Sequence, residues 1–317
     1  MDSGKLYLFT LMKINIAVLA KQVPDTHNIT AQAMKDDGTV NRAALPAIYN
    51  PEDLNALELA LSVKEQFGAT VTVITMGPPR AAEILKESLY RGADRCVLLT
   101  DRAFAGADTL ATSYTLGLAI KKLGKVDIVM CGRQAIDGDT AQIGPQVAEK
   151  ITYNQITYVE AVQKIEKDTI TLHRNLGRTS ETIRTKLPVL LTVTASANQP
   201  RSFGAKYQMK FKKARTVLDV TDEVRNSTVA GSYADDYVRD LINKKCADLK
   251  TRGLLIETWT AADLKVDASS IGLAGSPTKV KKIESIVLTA REIKTVPPTD
   301  DGIKSLIKEL IEEKTFV

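Results

Sequence analysis

Residues 70–75 read Thr-Val-Thr-Val-Ile-Thr, β-branched throughout and bracketed by segments with helical spacing. A strand with no polar side has no face to offer water, so it must be covered above and below. The chain repeats this alternation from residue 14 to residue 150. Residues 14–19 are an apolar run of strand length broken only by Asn15. Asn50-Pro51-Glu52-Asp53 then predicts a helix start, with Asn50 as the cap, Pro51 in the first turn and two acids at the positive end. Leu54, Leu57 and Leu61 carry that helix toward Gly68. A helix over 81–91 stops at Gly92, a strand follows over 96–100, a helix over 108–123 stops at Gly124, and a strand fills 126–130. The expected fold class is therefore α/β, a parallel-sheet nucleotide-binding domain with helices on both faces. Ligands of such sheets sit beyond the C-terminal strand ends, at the point where strand order reverses. Three loops qualify: residues 20–26, Met76-Gly77, and residues 132–143.

The third loop carries the most chemistry. It runs Gly132-Arg133-Gln134-Ala135-Ile136-Asp137-Gly138-Asp139-Thr140-Ala141-Gln142-Ile143 between a strand and a helix. A helix start has unpaired N–H groups and partial positive charge, which attract phosphate. Gly138 is expected to supply φ > 0 and close approach, and Asp139 or Thr140 to cap the turn. The amides of residues 140–143 then form a candidate anion cradle. An ordinary capped strand-to-helix loop is the competing reading. Coming from three separate strands, these loops predict a nucleotide site, with Leu19, Ala20, Lys21, Asn50, Met76, Gly77 and residues 137–143 as its candidate residues.

Composition excludes several alternatives. The 43 basic and 38 acidic residues leave a charge of +5, and aromatics are only 5% of the chain, so nucleic acid is a poor expected partner. Three cysteines, Cys96, Cys131 and Cys246, lie far apart and suggest neither disulfides nor zinc, which fits a reducing cytoplasm. His27 and His173 have no metal-ligand spacing around them. No apolar run reaches the roughly 20 residues of a membrane span. The G-x-S-x-G, P-loop and G-x-G-x-x-G patterns are missing. No catalytic side chain and no metal are expected, and a cofactor would carry any chemistry.

Beyond residue 150 the pattern changes. Residues 156–172 predict a hairpin turning near 166–168, residues 187–194 a further strand, and residues 195–203 a loop. A basic patch follows over 206–215, then a helix signal over 233–249. The spacing of Ile303, Leu306, Ile307, Leu310 and Ile311 predicts a terminal amphipathic helix. The expected organisation is a leader over 1–12, the α/β domain over 13–203, and a C-terminal arm over 204–317 that packs on something else.

At this point the chain resembles the beta subunit of electron transfer flavoproteins. The resemblance runs over residues 13–201 and returns over 259–287. It rests on Ala20-Lys21-Gln22-Val23-Pro24-Asp25-Thr26, on Asn50-Pro51-Glu52-Asp53, on residues 132–142, on Ser180-Glu181-Thr182-Ile183-Arg184-Thr185-Lys186-Leu187-Pro188, and on Gly275-Ser276-Pro277-Thr278-Lys279-Val280. The resemblance implies an adenine nucleotide alpha hydrolase-like fold whose C-terminal arm embraces an alpha subunit in a heterodimer. The stretch 217–257 is longer than the family's pattern. Pro24, Asp25, Thr26 and the Gly138 loop look like the electron-bifurcating branch of anaerobic metabolism. That implies a beta-subunit FAD taking hydride from NADH. One electron would pass to ferredoxin or flavodoxin, the other through the alpha-subunit FAD to an acyl-CoA dehydrogenase or similar flavin dehydrogenase. A small residue at Thr26 would leave room for the isoalloxazine, and Gly138 room for a diphosphate. Residues 195–205 fall where the family places a loop that recognises the dehydrogenase. The alternatives are a structural subunit holding AMP and a stand-alone adenine-nucleotide regulator of universal-stress type.

Overall fold

In a computed structural model, the structure describes residues 14–25, 45–227, 235–278 and 295–312. Thr26 and the expected leader lie outside the described residues. The elements in chain order are β1 (Asn15–Leu19), β2 (Gln22–Pro24), β3 (Ala47–Tyr49), α1 (Pro51–Phe67), β4 (Thr70–Met76), α2 (Ala82–Arg91), β5 (Arg95–Leu99), α3 (Thr109–Leu123), β6 (Ile128–Gly132) and α4 (Ile143–Ile151). They continue with β7 (Asn154–Glu166), β8 (Thr169–Asn175), β9 (Ser180–Lys186), β10 (Val189–Val193), α5 (Ala205–Phe211), β11 (Arg215–Thr216), α6 (Val217–Ser227), α7 (Asp235–Thr251), β12 (Leu255–Trp259), α8 (Ala261–Leu264) and α9 (Asp300–Glu312).

The apolar strands pair as their lack of a polar face requires. The main sheet runs β11-β12-β5-β4-β1-β6-β10-β7-β8-β9. It is parallel from β11 through β7, and antiparallel only where β7, β8 and β9 form a meander. Alternate residues of β1 serve opposite layers. Ile16 and Val18 pack with Leu57, Leu61, Ile84 and Phe211 under α1, α2 and α5. Ala17 and Leu19 pack with Leu116, Ile120, Val147 and Leu264 under α3, α4 and α8. Strand order reverses at β1, which pairs β4 on one side and β6 on the other. The crevice between the ends of β1 and β6 is therefore the switch point.

Residues 205–278, read from the sequence as part of an arm, belong to the same compact unit, which spans Met1–Val280. β12 extends the sheet beyond β5 and β11 extends it further. Buried anchors there include Phe211, Val220, Val224, Leu254, Ile256 and Trp259, spread over α5, α6, the turn before β12 and β12 itself. Their dispersal hides them from a search for one periodic apolar stretch. A second unit, Lys281–Val317, contains α9, whose Ile303, Ile307 and Ile311 are about half exposed.

Candidate functional site

The crevice is built outward from the first turn of α1. Asn50 precedes the helix but makes no side-chain cap bond. Its amide reaches across to the β6 loop instead, donating to the Gln134 carbonyl at 2.9 Å and accepting from the Ile136 N–H at 3.1 Å. Glu52 accepts from the Gln134 N–H at 3.0 Å and from the Arg133 guanidinium at 3.0 Å. Asp53 accepts from the Gly132 N–H at 2.8 Å and from the Lys21 N–H at 2.9 Å, joining the ends of β6 and β1. The expected helix cap is thus a clamp on the loop. The reason is position: α1 lies against β6, so its first turn meets the loop rather than water.

All three clamp side chains are buried. Buried polar groups need partners, and these have them. Burial pushes the Asp53 carboxyl up to about 7, opposed by the two N–H bonds that favour its charged form. Gly132 is required by the closeness of this contact. A Cβ there would lie 2.7 Å from Asp53 Oδ1 and 2.7 Å from the Glu52 carbonyl carbon. At the mouth of the crevice Lys21 Nζ meets the two Asp137 oxygens at 2.6 and 2.7 Å.

The loop beyond Asp137 departs from expectation in two respects. Gly138 is not left-handed; Asp139 (φ 49°) and Ala141 (φ 53°) are. Non-glycine residues in that region carry strain of order 1–3 kcal/mol each and gather at ligand clamps. Neither Asp139 nor Thr140 caps α4. The residue before the helix is Gln142, which makes no side-chain cap bond. Asp139 Oδ1 is engaged by the Gln134 side-chain amide at 3.0 Å, and Gln142 accepts from the Thr109 hydroxyl at 2.8 Å. The helix expected after this loop begins at Ile143, and Gly144 lets it sit on the sheet. A Cβ there would lie 2.7 Å from Thr192 Cγ2 and 3.0 Å from Cys131 Sγ.

The structure brings Leu19, Ala20 and Lys21 at the end of β1 beside Met76 and Gly77 at the end of β4, and beside residues 132–143 after β6. Not every backbone donor in this set faces a ligand. The Ala20 N–H goes to the Ile74 carbonyl at 2.9 Å, and the Lys21 N–H to Asp53. The exposed residues 138–142 and the first turn of α4 remain as the open rim. Pro24 and Asp25 lie in and just after β2, in a separate two-stranded ribbon with β3; the Asp25 N–H bonds the Pro46 carbonyl at 2.8 Å. Glu52 and Asp53 are site-building residues that sequence reading assigned only to the helix dipole. The signal was present in two adjacent acids flanked by an Asn.

Among the described residues no group of three or more His, Cys, Asp or Glu is arranged to hold a metal, and no helix is long and apolar enough to cross a membrane. Comparison with known proteins gives consistent relationships. The electron transfer flavoprotein domain matches residues 37–223. An electron transfer flavoprotein subunit beta of Clostridium acetobutylicum is 41% identical over 300 residues, covering 95% of this chain and 99% of that one. Subunit CarD of the caffeyl-CoA reductase-Etf complex of Acetobacterium woodii is 50% identical over 189 residues, 59% of this chain and 71% of that one. Protein FixA of Bradyrhizobium diazoefficiens is 36% identical over 297 residues, 92% of this chain and 88% of that one. With a strand-order switch crevice at its centre and relatives that span nearly its whole length, the chain belongs to the electron transfer flavoprotein family, as a beta subunit.

Proposed function

We propose that the β1–β6 crevice holds FAD and that this beta subunit works in an NADH-oxidising, electron-bifurcating flavoprotein. The observation that carries the reading is the open rim at Gly138. A Cβ built there meets nothing within 4 Å, and the uncapped α4 start stands just behind it. Backbone N–H groups at such a helix start suit the phosphates of a dinucleotide. Asp137 is compensated by Lys21, while Asp139 is held through one oxygen by the neutral Gln134 side chain, so the backbone N–H groups rather than side-chain charge are what would hold the phosphates. Bound there, FAD supplies hydride acceptance from NADH and passage of single electrons toward ferredoxin or flavodoxin and toward the alpha-subunit FAD. The chain's own residues bind and orient. Asn50, Glu52 and Asp53 fix the loop, and no side chain has to move a proton.

The likeness to a subunit of a caffeyl-CoA reductase-Etf complex supports a flavin dehydrogenase as final partner. An acyl-CoA dehydrogenase or similar enzyme would meet residues 195–205. There Phe203, 40% exposed, is backed by the Tyr90 ring and by the Arg91 guanidinium 4.6 Å from its centroid. The half-exposed apolar face of α9 supports contact with the alpha subunit.

One observation favours AMP instead: Lys21 and Arg133, the cations of the crevice, are already paired with Asp137 and Glu52. A single phosphate asks less of the backbone alone. Counting flavin released from the purified heterodimer separates the readings. Two flavins per dimer support bifurcation; one flavin with one AMP overturns it. Gly138→Asp sharpens the test. Because Gly138 is not left-handed, the variant should keep its stability within about 0.5 kcal/mol while losing beta-subunit flavin. Undiminished flavin in that variant would remove the loop from the site.

A further inference from the structure

We propose that the groove between α6 and α7 docks an acidic, aliphatic-bearing segment of a partner protein, at a site distinct from the nucleotide crevice. The groove encloses about 600 Å3 and is lined by five cations, Lys213, Arg215, Lys244, Lys245 and Arg252. Its two acids are both taken: Glu223 by Lys245 at 3.0 Å, and Asp248 by Arg252 at 3.1 Å. Among the described residues Lys213, Arg215 and Lys244 have no acid partner, so the lining carries an uncompensated charge of three. The basic stretch singled out in the sequence runs into this groove. From Gly204 to Leu218 there are five Lys and Arg residues and no acid, and Lys206, Lys210 and Lys212 are exposed along the approach. A field of one sign over a concave surface steers and selects an oppositely charged partner.

The floor decides what kind of anion fits. Val220 is buried, Leu241 and Leu249 are partly buried, and the lining contains no aromatic ring. Single-stranded nucleic acid binds by stacking bases on aromatic rings, and this groove offers none. A small phosphate compound would answer the charge but leave the aliphatic floor and the outlying lysines unused. An acidic protein segment with leucine or isoleucine side chains answers both. The groove rests against the edge of the sheet at β11 and β12, with β5 and β4 between it and the β1–β6 crevice. Docking there would leave the nucleotide loops untouched.

The test uses the complete heterodimer and a fluorescein-labelled peptide of alternating Glu and Leu, read by anisotropy. Binding should weaken as salt rises. It should fall about tenfold or more in Lys213→Glu/Lys244→Glu, with flavin content and melting temperature unchanged. Lys213→Gln/Lys244→Gln, a milder pair, should give an intermediate loss if the reversal disturbs folding. A Glu/Gly peptide of equal charge should bind more weakly than the Glu/Leu peptide. Four outcomes would overturn the proposal: unchanged binding in both variants, equal binding of the Glu/Gly peptide, equal or tighter binding of single-stranded RNA or tripolyphosphate, and protection of Lys213 and Lys244 from acetylation by the alpha subunit.

Discussion

Asp53 ties two strand ends together from a position that water barely reaches. It accepts one backbone N–H from β6 and one from just past β1, and burial lifts its pKa from 3.8 to about 7. Between those values the folded protein keeps a proton that the unfolded chain has released. Its contribution to stability is therefore complete below about pH 4 and is lost as pH rises through 7. Melting temperature measured from pH 4 to pH 8 should fall more steeply for the native chain than for Asp53→Asn. Parallel curves would mean that Asp53 titrates in the ordinary carboxylate range. Gly132→Ala probes the same contact by size. The new methyl meets backbone as well as the Asp53 carboxylate, neither of which can swing aside. A loss of about 1–3 kcal/mol is expected from overpacking, measured by urea unfolding, and an unchanged midpoint would refute it.

Among the elements, α3 and α9 show how a helix end and a helix face are used. Asp108 caps α3, accepting from the Leu110 and Ala111 N–H groups at 2.9 and 3.0 Å through one oxygen. Its other oxygen takes the Thr278 N–H and hydroxyl. Desolvation pushes the Asp108 pKa upward, but the Thr278 bonds and the two cap bonds outweigh it and hold the carboxyl below its usual range. Asp108→Ala should cost about 0.5–2 kcal/mol as a lost cap. It should also release residue 278, visible as faster hydrogen exchange there than in the native chain. For α9 the outcome expected is different. Replacing Ile303, Ile307 and Ile311 by Ser should leave flavin or nucleotide in the crevice but weaken pairing with the alpha subunit. Each isoleucine buried at an interface contributes on the order of 1.5–3 kcal/mol, so titration of the two subunits should show at least about a tenfold loss. Normal pairing would assign the α9 face to another partner.

For the whole molecule, the reversal of strand order at β1 positions the crevice and leaves its two sides to be joined by side chains from a third element. That join is why the α1 clamp matters more than the Lys21–Asp137 pair across the mouth. Lys21 is half exposed, and surface ion pairs of this kind contribute about 0–1 kcal/mol. The central parallel strands β1, β4, β5, β6 and β10 were legible because they are mostly apolar and buried, and the helices between them because each stops at a glycine or a turn. Gly68 and Gly92 do this with positive φ, as left-handed or near-left-handed closures of α1 and α2. The positions of the three candidate loops were legible for the same reason, since each follows such a strand.

The sequence by itself determined that this chain builds a doubly covered parallel sheet, and that its loops after β1, β4 and β6 face one another at the carboxyl ends. Those facts follow from local apolar runs, breakers and the handedness of strand–helix–strand units. Only the tertiary structure decided that Asn50, Glu52 and Asp53 turn away from their own helix to hold the loop after β6, because that depends on which strand α1 backs onto. It also decided that Asp139 and Ala141, not Gly138, take the left-handed backbone, since the pull on the loop comes from contacts more than eighty residues apart in sequence. The short strands β11 and β12 likewise owe their existence to an available sheet edge beside β5 rather than to their own composition. Hydrogen-bond partners supplied by a distant edge leave no trace in a local pattern.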